Sequence, residues 1–432
     1  MYSHLILDYA IITVEVLDVK RDYGIAILLF ALILSAAVLS GCGGGGGGSV
    51  GAAPLNLITT KEEAQKPGAW TILVYLDADN DLEQAGLHNF NQMELVGSTK
   101  DVRVIVQLDR STDRDETNGN WTDTRRYLIT YDPDSRNIHS LRLDEQPLGE
   151  LDMGSWRTLQ NFVEWGVQEF PADNYCLVVW DHGNGWLIRS MDAMPHYKYI
   201  AVDDSSHNSI NVTDIPNALA NVNIDVIAFD ACYMQQLEVA YELRNSARYM
   251  VGSAGTEPSP GYNYARWISK LSASTTPSQL SCAIVEAYAA EYPSSQRNIT
   301  QSALDLSKID AVSDAASEYA QVLLNNRGPA LMLAGQEALN YTTTGNDPNH
   351  YFLDLWDYAA RCKNAINPAA NDAYATLITA LDDAIIAEMH HSDMPGAHGL
   401  AIYMPTSDHY DARYAQLDFA SNTLWDDWIR FQ

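Results

Sequence analysis

Two short segments fifty positions apart hold the residues best placed to do chemistry. The first is Cys176-Leu-Val-Val-Trp-Asp-His182-Gly-Asn-Gly-Trp186 and the second is Ile224-Asp-Val-Ile-Ala-Phe-Asp230-Ala-Cys232-Tyr-Met. Each is an apolar run ending abruptly in a reactive residue, the pattern of a buried strand delivering a side chain to the edge of a sheet. A thiol is a poor nucleophile at its ordinary pKa, and a neighbouring imidazole holds it as thiolate or takes its proton during attack. Attack on a carbonyl also needs donors for the developing oxyanion. Gly183, directly after His182, lets a backbone N–H approach substrate without a Cβ in the way, and the Cys232 N–H would be the second donor.

These runs, rich in Val, Ile, Leu and Trp, predict strands buried on both faces in a parallel sheet covered by helices. Residues 72–76 and 102–108 read as the first two core strands, joined by a polar helix over about 81–96. Residues 121–131 and 138–143 read as a hairpin turning at Asp132-Pro-Asp-Ser-Arg136. Residues 158–170 place Leu159, Phe162, Val163 and Val167 at helical spacing. Residues 187–211 read as one long loop, 249–253 as the next strand, and 255–262 as a Pro/Gly-rich loop near the site. From about 268 to 394 the pattern turns mainly helical (278–292, 309–325, 371–389), with a strand at 299–306. Residues 397–403 return to strand character. The predicted fold class is α/β: a sandwich with a mostly parallel central sheet, a mainly helical C-terminal lobe and a late strand closing back on the sheet. The expected boundaries are a catalytic core over 68–267, the helical lobe over 268–395 and a returning segment over 396–432.

A Cys preceded by Ala, with a His about 50 residues upstream, is the caspase spacing, but caspases carry Gln where this chain has Asp230. The chain instead resembles the clostripain family of cysteine peptidases, in the same clan, over nearly all of its length after residue 68. The matching segments are Trp70-Thr-Ile-Leu-Val-Tyr-Leu-Asp-Ala-Asp-Asn-Asp-Leu-Glu83, Asp152-Met-Gly154, Trp180-Asp-His-Gly-Asn-Gly-Trp186, Phe229-Asp-Ala-Cys-Tyr-Met234 with Glu238-Val-Ala-Tyr241, and His398-Gly-Leu-Ala-Ile-Tyr-Met-Pro405. The resemblance implies a caspase-like α/β/α fold, His182 as general base, Cys232 as nucleophile, and cleavage after Arg or Lys with Asp230 at the floor of the S1 pocket. A carboxylate in a partly closed pocket suits that role, pairing bidentately with Arg and more loosely with Lys.

Residues 24–41 carry no charge and follow Lys20-Arg21, so they read as the apolar core of a signal peptide. Leu39-Ser-Gly-Cys42 resembles the bacterial lipobox, which implies removal of residues 1–41 and a lipid on Cys42 at the new N-terminus. Residues 1–18 contain three acids where such a signal is basic, which points to a start at Val19 instead. Six glycines follow Cys42, so residues 42–67 are expected to form a tether with nothing to bury. The expected location is the bacterial cell envelope, outside the cytoplasm, and the outer membrane in a Gram-negative host.

The formal net charge is −30, and removing residues 1–41, with four acids and two bases, leaves −28. Nucleic acid and anionic lipid surfaces are poor partners for such a chain, and basic peptides are electrostatically favoured. Of five cysteines, Cys42 is assigned to lipid and Cys232 to chemistry. Cys176 is expected to pack inside its strand, and spacing leaves a Cys282–Cys362 disulfide open.

Asp77-Ala-Asp79-Asn80-Asp81 supports a rival reading, because a strand ending in Asp-x-Asp is how haloacid dehalogenase-like phosphatases present a nucleophile and an acid around Mg²⁺. Asn80 breaks that pattern. The same acids, Asp77, Asp79 and Asp81, are weak candidates for a divalent ion, and the resemblance allows Ca²⁺; the chemistry itself requires no cofactor. A third reading is a catalytically silent, lipid-anchored peptide-binding protein on a peptidase fold. Arg189-Ser190 and Lys198-Tyr199, in the loop between the two reactive strands, are candidate self-cleavage bonds, Lys198 the favoured one because Ile200-Ala-Val-Asp203 returns to ordered structure.

Overall fold

The computed structural model describes residues 56–112, 114–187, 199–293, 296–344, 351–366 and 368–431. The expected signal peptide, Cys42, the glycine run, Arg189 and Lys198 lie outside the described residues. No helix among the described residues is long and apolar enough to cross a membrane.

Strands β1 (Gly68–Ala78), β2 (Val102–Arg110), β3 (Arg125–Leu128), β4 (Leu141–Arg142), β5 (Ala172–Trp180), β8 (Ile224–Asp230), β9 (Ala247–Gly252), β10 (Thr300–Asp305) and β12 (Ile385–His390) form one sheet in the order β12-β10-β9-β8-β5-β1-β2-β3-β4. The central run β9-β8-β5-β1-β2 is parallel, and both flanks are antiparallel. The remaining strands make two ribbons, β6 (Ile200–Asp203) with β7 (Asn208–Ile210), and β11 (Phe352–Asp354) with β13 (Ala401–Tyr403).

The unbroken apolar runs follow from this topology, since every central strand is covered twice. Leu73, Tyr75, Leu177, Val179, Ile227 and Phe229 enter one core, and their neighbours Ile72, Val74, Cys176, Val178, Val226 and Ala228 enter the other. The first core is closed by helices Trp156–Glu169, Leu237–Leu243 and Ile309–Asn325. The second is closed by Glu83–Glu94, Tyr264–Ile268 and Pro277–Glu291. Leu159, Phe162, Val163 and Gly166 recur at i, i+3, i+4 and i+7, a stripe that faces the sheet. Helix Pro277–Glu291 starts where expected because Thr276 and Gln279 cap each other reciprocally and Pro277 occupies the first turn.

Four local expectations are corrected. The loop expected over 187–211 contains the β6–β7 ribbon, whose register is fixed by Ile200 opposite Ile210. The helix expected to reach Met389 ends at Ala384, and Ile385–His390 extends along β10 as an edge strand; β-branched Ile385 and Ile386 favour that pairing over another helical turn. The strand expected to close the central sheet, β13, pairs with β11 instead, while β12 does the closing. Finally, chain packing begins before residue 68: Ile58 and Ala64 are fully buried, Leu57 bridges Thr99, and Thr60 caps the turn Lys61–Ala64. The helical stretch after 268 is present, and through β10 and β12 it also completes the sheet.

Candidate active site

Strands β5 and β8 are adjacent and parallel, with Trp180 opposite Asp230. The Asp181 N–H donates to Asp230 O at 3.3 Å, so the ladder continues past the last strand residues. Two steps on, His182 and Cys232 stand side by side at the carboxyl edge of the sheet, and both line one cavity of ≈ 170 Å³.

The backbone there is close-packed. A Cβ on Gly183 would lie 2.5 Å from Cys232 O and 3.1 Å from Cys232 N, so only glycine allows this approach of the two turns. Gly185 takes a φ of +61°, and Trp186 N–H donates to Gln236 Oε1 at 3.2 Å, locking the turn after His182. Across the site Tyr233, directly after Cys232, holds a φ of +61°, a left-handed conformation that is strained for a bulky residue. Its N–H donates to Gly255 O at 2.8 Å. The Glu257 N–H points at Cys232 Sγ from 3.2 Å.

His182 Nε2 lies 2.8 Å from Asp81 Oδ1, with the histidine side chain mostly buried and the aspartate half exposed. Asp181 braces this arrangement from behind. Its Oδ1 accepts from Asn80 Nδ2 at 2.7 Å, its Oδ2 accepts from Val202 N–H, and burial pushes its pKa up to about 7. Asn80 Nδ2 also reaches Val202 O at 2.9 Å, tying the loop after β1 to the β6–β7 ribbon.

Asp230 lies in the wall of the same cavity and is nearly inaccessible, at 4% exposure. Its Oδ1 accepts from Tyr262 N–H at 3.0 Å and its Oδ2 from Tyr264 Oη at 2.9 Å. Burial raises its pKa to about 7 despite these donors and the neighbouring Glu257 carboxyl. Glu257 is driven well above the usual carboxylate range, first by burial and then by the charge of Asp230 and the nearby Cys232. Burial and the proximity of the two carboxyls thus push both toward their protonated forms. Trp180, Pro258, Ser259, Pro260 and Gly261 complete the walls. Tyr292 Oη holds the last of these by donating toward Gly261 O at 2.6 Å.

The structure therefore brings together His182, Gly183, Asp230 and Cys232. It does not bring Asp77, Asp79 and Asp81 to one point. Asp81 turns to His182, Asp79 Oδ2 accepts from Ser205 N–H at 2.9 Å, and Asp77 is fully buried, out of reach of any phosphoryl substrate. That burial removes the phosphatase reading. The Cys282–Cys362 bridge does not form, since Cys362 is a free thiol packed in the first core, its pKa pushed up to about 12 by burial. Cys176 is fully buried, as expected. Sequence reasoning missed Asp81 as the partner of His182, Asp181 as a brace and Glu257 as the second acid. The available signal for Glu257 was an acid inside the Pro/Gly-rich loop already expected at the site.

The model of the clostripain family matches residues 74–431. Clostripain from Hathewaya histolytica is 23% identical, the match covering 81% of this chain and 77% of that protein. Among solved structures, a secreted C11 cysteine protease from Bacteroides thetaiotaomicron in complex with an irreversible peptide inhibitor is similar with a TM-score of 0.65 at 22% identity, covering 83% of this chain and 100% of that one. An inactive zymogen C11 protease from Parabacteroides distasonis gives a TM-score of 0.62 at 20% identity, covering 82% and 98%. The fold of these structures is the fold described above, and with the match along most of its length the chain belongs to the clostripain family of cysteine peptidases.

Proposed function

We propose that the chain is an endopeptidase that cleaves after Arg or Lys through a Cys232/His182 dyad, working outside the cytoplasm from a lipid anchor on Cys42. The observation that supports this most is one cavity lined by His182 and Cys232 together with Asp230 and Glu257. Cys232 Sγ bonds to the scissile carbonyl carbon while His182 takes the thiol proton. As the C–N bond breaks, His182 passes that proton to the leaving amine. Water, deprotonated by His182, then attacks the thioester, releasing the acid product and returning the proton to the sulfur.

The oxyanion formed in each half-reaction is assigned to the N–H groups of Gly183 and Cys232, consistent with the tight approach of those two turns. Asp81 orients the imidazole from the Nε2 side, which leaves Nδ1 for the proton transfer. A guanidinium or ammonium entering the S1 cavity favours the ionised form of the Asp230–Glu257 pair, and in a desolvated wall that charge-assisted contact is strong.

The anchor and the envelope location rest on Leu39-Ser-Gly-Cys42 after an apolar stretch, and self-cleavage after Lys198 or Arg189 rests on basic residues between the two reactive turns. No nucleic-acid partner is proposed for a chain of charge −30. A positional-scanning peptide library tests the reading: wild type cleaves after Arg or Lys and Cys232→Ala cleaves nothing. A dominant preference for any uncharged or acidic P1 residue would overturn it.

A further inference from the structure

A second cavity, of ≈ 410 Å³, is lined by Arg126 of β3, by residues that follow β4 and by the end of helix Trp156–Glu169, and it shares no residue with the substrate cavity. Arg126 is the group in it that the peptidase reading leaves without a role. Its guanidinium lies over the Trp165 ring at 4.2 Å, and its Nε donates to Gln107 Oε1 at 2.9 Å. Gln107 is fixed in turn, because its amide nitrogen faces Met153 Sδ at 3.2 Å. Among the described residues, Nη1 and Nη2 of Arg126 make no hydrogen bond, and neither is sealed from solvent.

No carboxylate among the described residues comes within ion-pair distance of this guanidinium. Asp144, the acid that acts on it, is engaged elsewhere: its Oδ1 accepts from the Arg126 N–H at 3.1 Å and its Oδ2 from Arg142 Nε at 2.6 Å. Glu169 is held by Gln65 Nε2 at 2.7 Å and by Lys61 at 3.6 Å. Burial lowers the Arg126 pKa to about 10, so desolvation of this cation is not offset inside the protein. Held by Gln107 and Trp165, the planar group presents its remaining N–H groups as a fork that a carboxylate fits with both oxygens.

The surroundings narrow the anion. Glu145 and Glu169 in the wall repel a dianion such as phosphate more than a single carboxylate, while Leu143, Leu148 and the Trp165 ring offer apolar surface for the body that carries it. A further cavity of ≈ 340 Å³ adjoins this one, sharing Lys61, Leu143, Asp144 and Glu145, and it is lined by both residues of β4. Because β4 is the outermost strand of the sheet, an extended backbone can lie beside it. From this geometry we infer that Arg126 receives the C-terminal carboxylate of a peptide whose last side chain is apolar, with the preceding residues running along β4. The chain thereby has a second peptide-binding element, separate from the cavity of His182 and Cys232.

The test does not depend on peptidase activity, because it uses the full Cys232→Ala chain and a probe with no basic residue. The acetylated peptide Ala-Ala-Ala-Leu with a free C-terminus, the same peptide as its C-terminal amide, and acetate alone are titrated by calorimetry. The free acid is expected to bind about tenfold or more tightly than either the amide or acetate. The comparison of acid with amide is made on one protein, so it needs no variant to fold. Arg126→Lys keeps the charge but not the fork, and should weaken the free acid about tenfold while leaving the amide unchanged. Equal binding of acid and amide, or no binding of the acid at about 10 mM, overturns the inference. Acetate that binds as tightly as the peptide overturns the peptide as the source of the carboxylate.

Discussion

Trp180 lies directly opposite Asp230 in the parallel β5–β8 ladder, and this one register fixes both halves of the site. It places Asp230, two residues before Cys232, beside the strand whose continuation carries His182. Because side chains alternate along strands, a one-residue slip would turn Asp230 away from the cavity and separate His182 from Cys232.

Gly183 is where that register is most sensitive. In Gly183→Ala the new methyl meets Cys232 O at 2.5 Å, and backbone cannot yield as a side-chain tip can. The turn must shift by several tenths of an ångström, so kcat is expected to fall about 10²-fold with Tm changed little. Steady-state kinetics beside a thermal melt checks both halves; near-normal kcat would show that the two turns are not held against each other.

Asp81→Ala tests the positioning of the base. The contact to His182 Nε2 is half exposed, so its loss should cost less than loss of a buried triad acid, about ten- to a hundredfold in kcat. KM for an Arg substrate should stay within twofold (roughly 0.4 kcal/mol), and Asp81→Glu should restore part of the rate. A change confined to KM would place Asp81 in substrate binding instead.

Asp230 and Glu257 give a pH signature as well as a specificity. A cation in S1 favours the ionised pair, and Asp230 is raised to about 7, so binding strengthens as pH rises toward 7 and is lost as it falls below. The affinity of Cys232→Ala for a small guanidinium inhibitor should drop about tenfold per pH unit on the acid side. Asp230→Ala should lower kcat/KM for Arg substrates by roughly 2–5 kcal/mol in transition-state terms, and Glu257→Gln by less. Basic preference that survives undiminished in Asp230→Ala would move the S1 acid elsewhere.

How much of this was legible beforehand depended on the range of the forces involved. The parallel core, the helices Trp156–Glu169 and Ile309–Asn325, and the strand-end positions of His182 and Cys232 follow from apolar periodicity, which is local. Asp81 reads in the sequence only as a weak cation ligand, and Asp181 and Glu257 carry no assignment there, because their roles come from segments separated by up to 101 residues. The β12 edge strand was read as helix because Ile385–His390 prolongs a helical pattern, and only pairing with β10 decides otherwise.

Glu238 predicts a stability effect outside the lining of the substrate cavity. It is fully buried beneath β13, where its Oε1 accepts from Tyr403 N–H and Tyr414 Oη, and burial raises its pKa to about 7. The native state thus holds a proton that the unfolded chain loses near 4.5, so this group's contribution is complete below that value and disappears as pH rises through about 7. The cost at pH 8 is on the order of 3 kcal/mol. Glu238→Gln keeps an acceptor without the titration, and its Tm should fall less than that of wild type between pH 5 and pH 8. Parallel curves for the two proteins would contradict this.

The central claim is that Cys232 is the nucleophile of a site that takes a basic P1 side chain. Its most direct test is intact-mass analysis after exposure to electrophilic peptides differing only at P1. The account predicts one adduct per chain, on Cys232, with Arg or Lys at P1, little reaction with Asp or Leu at P1, and none in Cys232→Ala or His182→Ala. Equal labelling regardless of P1, or an adduct that persists in Cys232→Ala, would contradict it.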